Sequence, residues 1–142
     1  MKIKSAFEHK GQIPSEYTCD GQDKIPALEI SEVPAEAKSL ALIMDDPDAP
    51  MRTWDHWIQW NIPPNTKKID KDIGTPGKNS WGRTGYGGPC PPSGTHRYYF
   101  KLYALDTMLD LPAGSDKKAL ESAMKGHILK EAVLMGKYQR TS

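Results

Sequence analysis

Apolar and polar positions alternate along most of this chain with the two-residue period of a β-strand. His96, Tyr98, Phe100, Leu102 and Ala104 fall on one side of that period, and Arg97, Tyr99, Lys101, Tyr103 and Leu105 on the other. This aromatic-rich run predicts a strand over 96–105. Ile3, Ser5 and Phe7 alternate with Lys2, Lys4 and Ala6 as a half-solvated strand would, and Ala27–Ile30 reads as a short strand. Ser39–Met44 is nearly all apolar, the pattern of a strand covered on both faces. Trp54–Ile62 reads W-D-H-W-I-Q-W-N-I; strict alternation puts Trp54, His56, Ile58 and Trp60 on one face and Asp55, Trp57, Gln59 and Asn61 on the other.

Breaks in the pattern are as informative as the runs. Pro47 and Pro50 end the 39–44 strand in D-D-P-D-A-P, and Pro63 with Pro64 ends the 54–62 strand. Gly11, Pro14, Asp20, Gly21 and Pro26 punctuate a long irregular segment, and 65–80 is polar and turn-rich. Helical spacing appears only near the end. Ser115 is the expected cap of a helix carrying Leu120, Ala123, Met124, His127 and Ile128 at three- and four-residue spacing, broken near Gly126. A second short helix is expected from about His127 to Met135, stopped by Gly136. Several strands followed by short C-terminal helices predict one mainly β domain over 1–142, a sandwich rather than a βαβ fold.

Composition narrows the function classes. Lys plus Arg number 19 against 18 Asp plus Glu, with no block of like charge, so the electrostatic footprint of a nucleic-acid partner is missing. The longest apolar run, Leu40–Met44, is far too short to span a bilayer, and residues 1–11 lack the apolar core of a signal peptide. A soluble cytoplasmic protein is expected. Cys19 and Cys90 form no C-x-x-C pair and no secreted framework, so each reads as a small buried side chain or a free thiol rather than half of a bridge.

Chemistry concentrates at three strand ends. Asp45, Asp46 and Asp48 crowd one exit, His56 lies in the second strand, and His96 opens the third after the loop Y-G-G-P-C-P-P-S-G-T. Gly87 and Gly88 are read as residues that free the backbone and bring its N–H groups to a bound group, while Pro89, Pro91 and Pro92 stiffen the loop. If the strands are neighbours, these loci converge. A carboxylate that accepts the N–H of one ring nitrogen fixes the tautomer of a histidine and raises its basicity, leaving the other nitrogen for a ligand as a donor. Two such rings with backbone N–H groups make a cradle for phosphate or carboxylate. Taken alone, His56 reads as a packed core residue, Asp45–Pro50 as a turn and Gly87–Pro92 as an interstrand loop; their joint occurrence favours a pocket. Arg97 points away from His96 and is expected to pair structurally with a carboxylate, with His9 and His127 on the surface or the helix.

D-D-P-D-A-P, W-D-H-W-I-Q-W-N-I-P and Y-G-G-P-C-P-P-S-G-T-H-R-Y-Y-F-K-L-Y-A-L-D, in that order, resemble the signature segments of the phosphatidylethanolamine-binding protein family, and within it the prokaryotic Raf-kinase-inhibitor-like branch. The likeness extends to Y-T-C-D-G at 17–21 and to the final G-H-I-L-K-E-A-V-L-M-G-K-Y. It implies an antiparallel β-sandwich with Greek-key connections and a small anion pocket. By resemblance, Asp46, His56 and His96 match the pocket carboxylate and its two histidines. Asp48 and Pro50 match the D-P-D-A-P loop, Gly88 the glycine whose backbone faces the anion, and Tyr98 the tyrosine two residues past the second histidine. A cis peptide in the D-P-D-A-P loop and a homodimer are also implied. The 51–53 link is shorter than in animal members and Cys90 interrupts the prolines, so kinase regulation is not carried over.

The leading expectation is a binding protein for a small anion, a phosphate or phospholipid head group, regulatory by binding and needing no cofactor or metal. The alternative is a serine protease inhibitor or other protein-interaction module working through an exposed loop such as Lys67–Ser80. An enzyme is the third reading, with His56, His96 and Asp46 as acid, base and orienter and Cys90 or Ser93 as nucleophile. Ser93 lacks the G-x-S-x-G elbow, and no H-x-x-H or E-x-x-H spacing supports a metal.

Overall fold

The computed structural model describes residues 1–140. Among the described residues, eight strands form two antiparallel sheets. The smaller has the order β1 (Lys2–Lys4), β2 (Leu28–Ser31), β5 (Lys68–Ile69). The larger has the order β6 (Thr75–Pro76), β4 (Trp54–Ile62), β3 (Ser39–Asp46), β7 (His96–Leu105), β8 (Ile128–Tyr138). Within the larger sheet β3, β4 and β6 are successive neighbours, and β7 returns over a long connection to lie beside β3. That spatial order is a Greek key.

The alternation along β3 and β7 decides where the core sits. Leu40, Leu42 and Met44 join Tyr98, Phe100, Leu102 and Ala104 in one apolar cluster, closed from the small sheet by Leu28, Ile30 and Ile69. Ala41, Ile43, Tyr103 and Leu105 face the other way, against Leu120 and Met124 of the helix α1 (Lys117–Met124). Every residue of β3 is buried, as its unbroken apolar run requires. The sheet is thus covered on both faces.

Two bulges in β4 break the alternation expected for it. Met44 pairs with Trp57 but Asp45 pairs with Asp55, so His56 is an extra residue. A second register shift lies between Leu40–Ile62 and Leu42–Gln59, where Asn61 takes φ +54°. Ile58 and Trp60 therefore face the helix, whereas Trp57 and Ile62 enter the inter-sheet core. His56, freed from the face of Ile58, turns against Tyr98 of the inter-sheet side.

The C-terminal reading needs two corrections. Asp116, not Ser115, caps α1, its Oδ1 accepting the Ala119 N–H at 3.0 Å, while Ser115 Oγ donates to the Pro112 carbonyl. The second helix is a strand. Gly126 at φ +83° turns the chain, and β8 then pairs with β7 along its whole length. Ala132, Leu134, Gly136 and Tyr138 point inward at period two, so completing the sheet edge overrides the weak helical spacing. The 67–80 segment, proposed as an exposed loop, contributes β5 and β6 to the two sheets; Gln59 Oε1 accepts the Ile73 and Gly74 N–H groups and its Nε2 donates to the Lys71 carbonyl.

The cysteines are joined. Cys19 and Cys90 form a disulfide with a Cα–Cα distance of 5.4 Å across a separation of 71 residues. The long loop at 14–24 lies against the Gly-Pro loop, with the Cys19 N–H on the Pro89 carbonyl at 3.1 Å and the Tyr86 hydroxyl on the Tyr17 carbonyl at 2.8 Å. That packing aligns the two thiols, and nothing in the local spacing announces it.

Candidate functional site

The antiparallel pairing of β3 with both β4 and β7 brings the three chemical loci to one end of the sheet. Asp46, at the exit of β3, and His96, at the entry of β7, are both almost fully buried, and His96 Nδ1 donates to Asp46 Oδ2 at 2.6 Å. The other carboxylate oxygen of Asp46 accepts the Asp48 N–H at 2.8 Å, closing a turn that fixes the carboxylate. His56 is held from the opposite side: its Nδ1 donates to the Gly87 carbonyl at 2.7 Å, and the Gly87 N–H returns to the His56 carbonyl at 3.0 Å. Tyr98 stands between the rings, edge-on to His56 with centroids 5.2 Å apart and stacked on His96 at 6.5 Å.

These groups line one cavity of about 380 Å³. Its floor is Asp46, His56, His96 and Tyr98, and its walls are Trp54, Trp81, Pro50 and the 90–92 segment. Trp81 closes one side edge-on to both His56 and Trp54. With both Nδ1 atoms committed, the two Nε2 atoms are what the histidines offer to the cavity. Burial lowers the His56 pKa, with the Gly87 carbonyl and nearby aspartates pulling the other way, so at neutral pH its Nε2 carries a lone pair. The donor role expected of a tethered histidine thus requires a second proton; the neutral ring accepts instead. The Tyr98 hydroxyl is buried near the Asp46 carboxylate and the Cys90 backbone without a well-formed hydrogen bond to either, and burial, followed by the Asp46 charge, raises its pKa.

Five of the seven predicted site residues, Asp46, Pro50, His56, His96 and Tyr98, line this cavity. Asp48 does not: it accepts from Arg97 Nε and the Arg97 N–H at 2.9 Å and from Nη2 at 2.7 Å, tying the D-P-D-A-P loop to β7 as the structural pairing expected of Arg97. Gly88 is also elsewhere. It sits beneath the loop with its N–H on Asp23, whose pKa burial raises against that hydrogen bond, and a Cβ there would meet the Asp23 carboxylate and the Tyr17 carbonyl. Neither Gly87 nor Gly88 has positive φ; each is glycine because something packs on it, in the case of Gly87 the Trp81 ring. The loop N–H groups of Gly87 and Gly88 are therefore spent inside the protein and do not form the expected cradle. The D-P-D-A-P loop has no cis peptide; the Asp46–Asp48 turn and the Arg97 clamp shape it instead.

The family model described as phosphatidylethanolamine-binding protein matches residues 3–139. A UPF0098 protein of Methanothermobacter thermautotrophicus is 51% identical over 99% of both chains. The chain belongs to the phosphatidylethanolamine-binding protein family. Its fold agrees with that of a phosphatidylethanolamine-binding protein homologue, CT736 of Chlamydia trachomatis, with a TM-score of 0.95 at 42% identity over 98% of this chain and 97% of that one. Escherichia coli YbcL, titled a member of the mammalian family, gives 0.89 at 28% identity over 99% and 98%. Among the described residues no helix is long and apolar enough to cross a membrane.

Within this family frame, the residues that sequence reasoning missed at the pocket are its aromatic walls. Trp54 and Trp81 are aromatics at the end of a strand and in a turn, and their only signal was proximity in sequence to His56 and to the Gly-Pro loop. Asp23, the partner of Gly88, carried none.

Proposed function

We propose that the pocket binds a phosphate-type anion, a phosphomonoester or phospholipid head group, together with a proton, and that the protein acts by binding rather than by turnover. The observation that carries this reading is that two histidines with committed Nδ1 atoms present their Nε2 atoms to one cavity. A neutral His56 accepts the P–O–H of a hydrogen phosphate; a doubly protonated ring donates to an unprotonated oxygen. With a phosphomonoester dianion, or with a ring that must take up a second proton, the complex holds up to one proton more than the separated partners at pH 7, whereas hydrogen phosphate already carries the P–O–H that a neutral ring accepts. Supporting binding over turnover, Cys90 Sγ is held in a disulfide, Ser93 is not part of the cavity wall, and burial makes the Tyr98 hydroxyl a poor nucleophile.

The pH dependence has a definite sign. The His56 pKa lies below its ordinary value of about 6.5, and a phosphomonoester takes up its second proton near pH 6, so affinity rises as the pH falls from 8 to 5. Nitrogen-detected imidazole NMR under phosphate titration should shift both Nε2 resonances, and calorimetry with a phosphomonoester in buffers of different ionisation enthalpy should show proton uptake at pH 7. Unmoved Nε2 signals, or affinity that increases with pH, would contradict the proposal.

A further inference from the structure

The Cys19–Cys90 bridge is part of the pocket. Cys90 lies in the cavity wall beside Pro91 and Pro92, Cys19 does not line it, and both residues are exposed to solvent. A disulfide with one cysteine in a cavity wall is open to a thiol held in that cavity, and thiol–disulfide exchange depends on which sulfur is accessible and on the thiolate content of the attacker. His56, with an unprotonated Nε2 in the same cavity, supplies the base that an incoming thiol needs.

We propose that this disulfide is a thiol-exchange site opened from within the pocket by a low-molecular-weight thiol. The thiol gives its proton to imidazole, and its sulfur attacks Cys90 Sγ. The Cys19–Cys90 S–S bond breaks as the new bond forms, Cys19 leaves as the thiolate and takes a proton, and the product is a mixed disulfide on Cys90 with a free Cys19. No external oxidant or reductant enters beyond the thiol itself. Confinement beside Cys90 raises the effective concentration of the thiol there, which an attack on Cys19 from bulk solvent lacks. The step is reversible in place, because the Cys19 N–H bond to Pro89 and the Tyr86 bond to Tyr17 still hold the two loops together and keep Cys19 in reach of the adduct. The adduct itself fills cavity volume, so exchange and ligand occupancy exclude one another. The inference rests on the cavity walls and not on the identity of the anion.

Mapping the adduct tests it. The oxidised full chain is treated with limiting 2-mercaptoethanol, quenched with acid, alkylated at its remaining thiol and read by peptide mass spectrometry. The expected result is nearly all mercaptoethanol on Cys90 and the alkyl label on Cys19. Adduct mainly on Cys19, an even split, or two free thiols in the untreated oxidised protein would overturn the proposal. His56→Gln should slow adduct formation at pH 7 and lose the pH dependence that imidazole imposes, whereas a rate and profile equal to the parent would remove His56 from the step; the mapping on the parent chain stands independently of how that variant folds.

Discussion

Tyr98 carries a buried hydroxyl that makes no well-formed hydrogen bond within the protein, although the Asp46 carboxylate and the Cys90 backbone stand near it, an arrangement that costs stability unless a ligand improves on it. Tyr98→Phe should therefore leave the unliganded protein as stable as the parent or more so by up to about 1 kcal/mol, while weakening phosphate binding. Thermal melts with and without phosphate check this, and a clear loss of stability without ligand would show that the hydroxyl has a structural partner. The two histidines are alike in their Nδ1 tethers and unlike in what holds them: a buried carboxylate for His96, a backbone carbonyl for His56. Residue identity alone made both candidates visible in the sequence. What the sequence could not supply was the tautomer, because that depends on which oxygen each ring meets, and so at His56 the expected donor is a neutral ring that accepts unless it takes up a proton.

Elements position these residues, and β4 does so by departing from ideal alternation. Its strand was legible to the residue, because aromatic and β-branched side chains fill Trp54–Ile62 between a turn and two prolines. Its bulges were not, since register depends on β3. Without the extra residue His56 would share the face of Ile58 and Trp60 and point toward the helix. The same strand anchors 71–74 through Gln59, which is fully buried. Gln59→Leu strands two N–H groups and one carbonyl and should cost roughly 2–4 kcal/mol in denaturant unfolding. The D-P-D-A-P loop hangs on a more exposed device. The Arg97 hydrogen bonds hold the Asp48 pKa down to about 2, so the pair contributes stability that is complete above the ordinary carboxylate range and is lost as pH falls through about 2. With Arg97 exposed, solvent screens the pair and Arg97→Met should lower stability only slightly at pH 7. The gap between variant and parent midpoints should close near pH 2, and a gap unchanged by acid would assign the loss to packing.

At the scale of the whole molecule, the pocket is assembled from segments far apart in sequence, Asp46, His56, Trp81 and 90–98, by the pairing of β3 with both of its neighbours. The sandwich was readable because β1, β2, β3, β4 and β7 each carry a strand's apolar pattern. β8 and the disulfide were not, because one is decided by an open sheet edge and the other by two loops meeting across 71 residues. Closing a loop of that length stabilises the native state by roughly 4 kcal/mol on chain-entropy grounds, so the Cys19→Ser, Cys90→Ser double variant should unfold at markedly lower denaturant with the same native fold. An unchanged midpoint would mean that the two loops hold each other without the bridge. If both Nε2 atoms serve one anion, a crystal grown with phosphate near pH 6 should hold tetrahedral density within hydrogen-bonding distance of His56 Nε2 and His96 Nε2 together; an empty cavity, or phosphate bound only outside it, would rule that out.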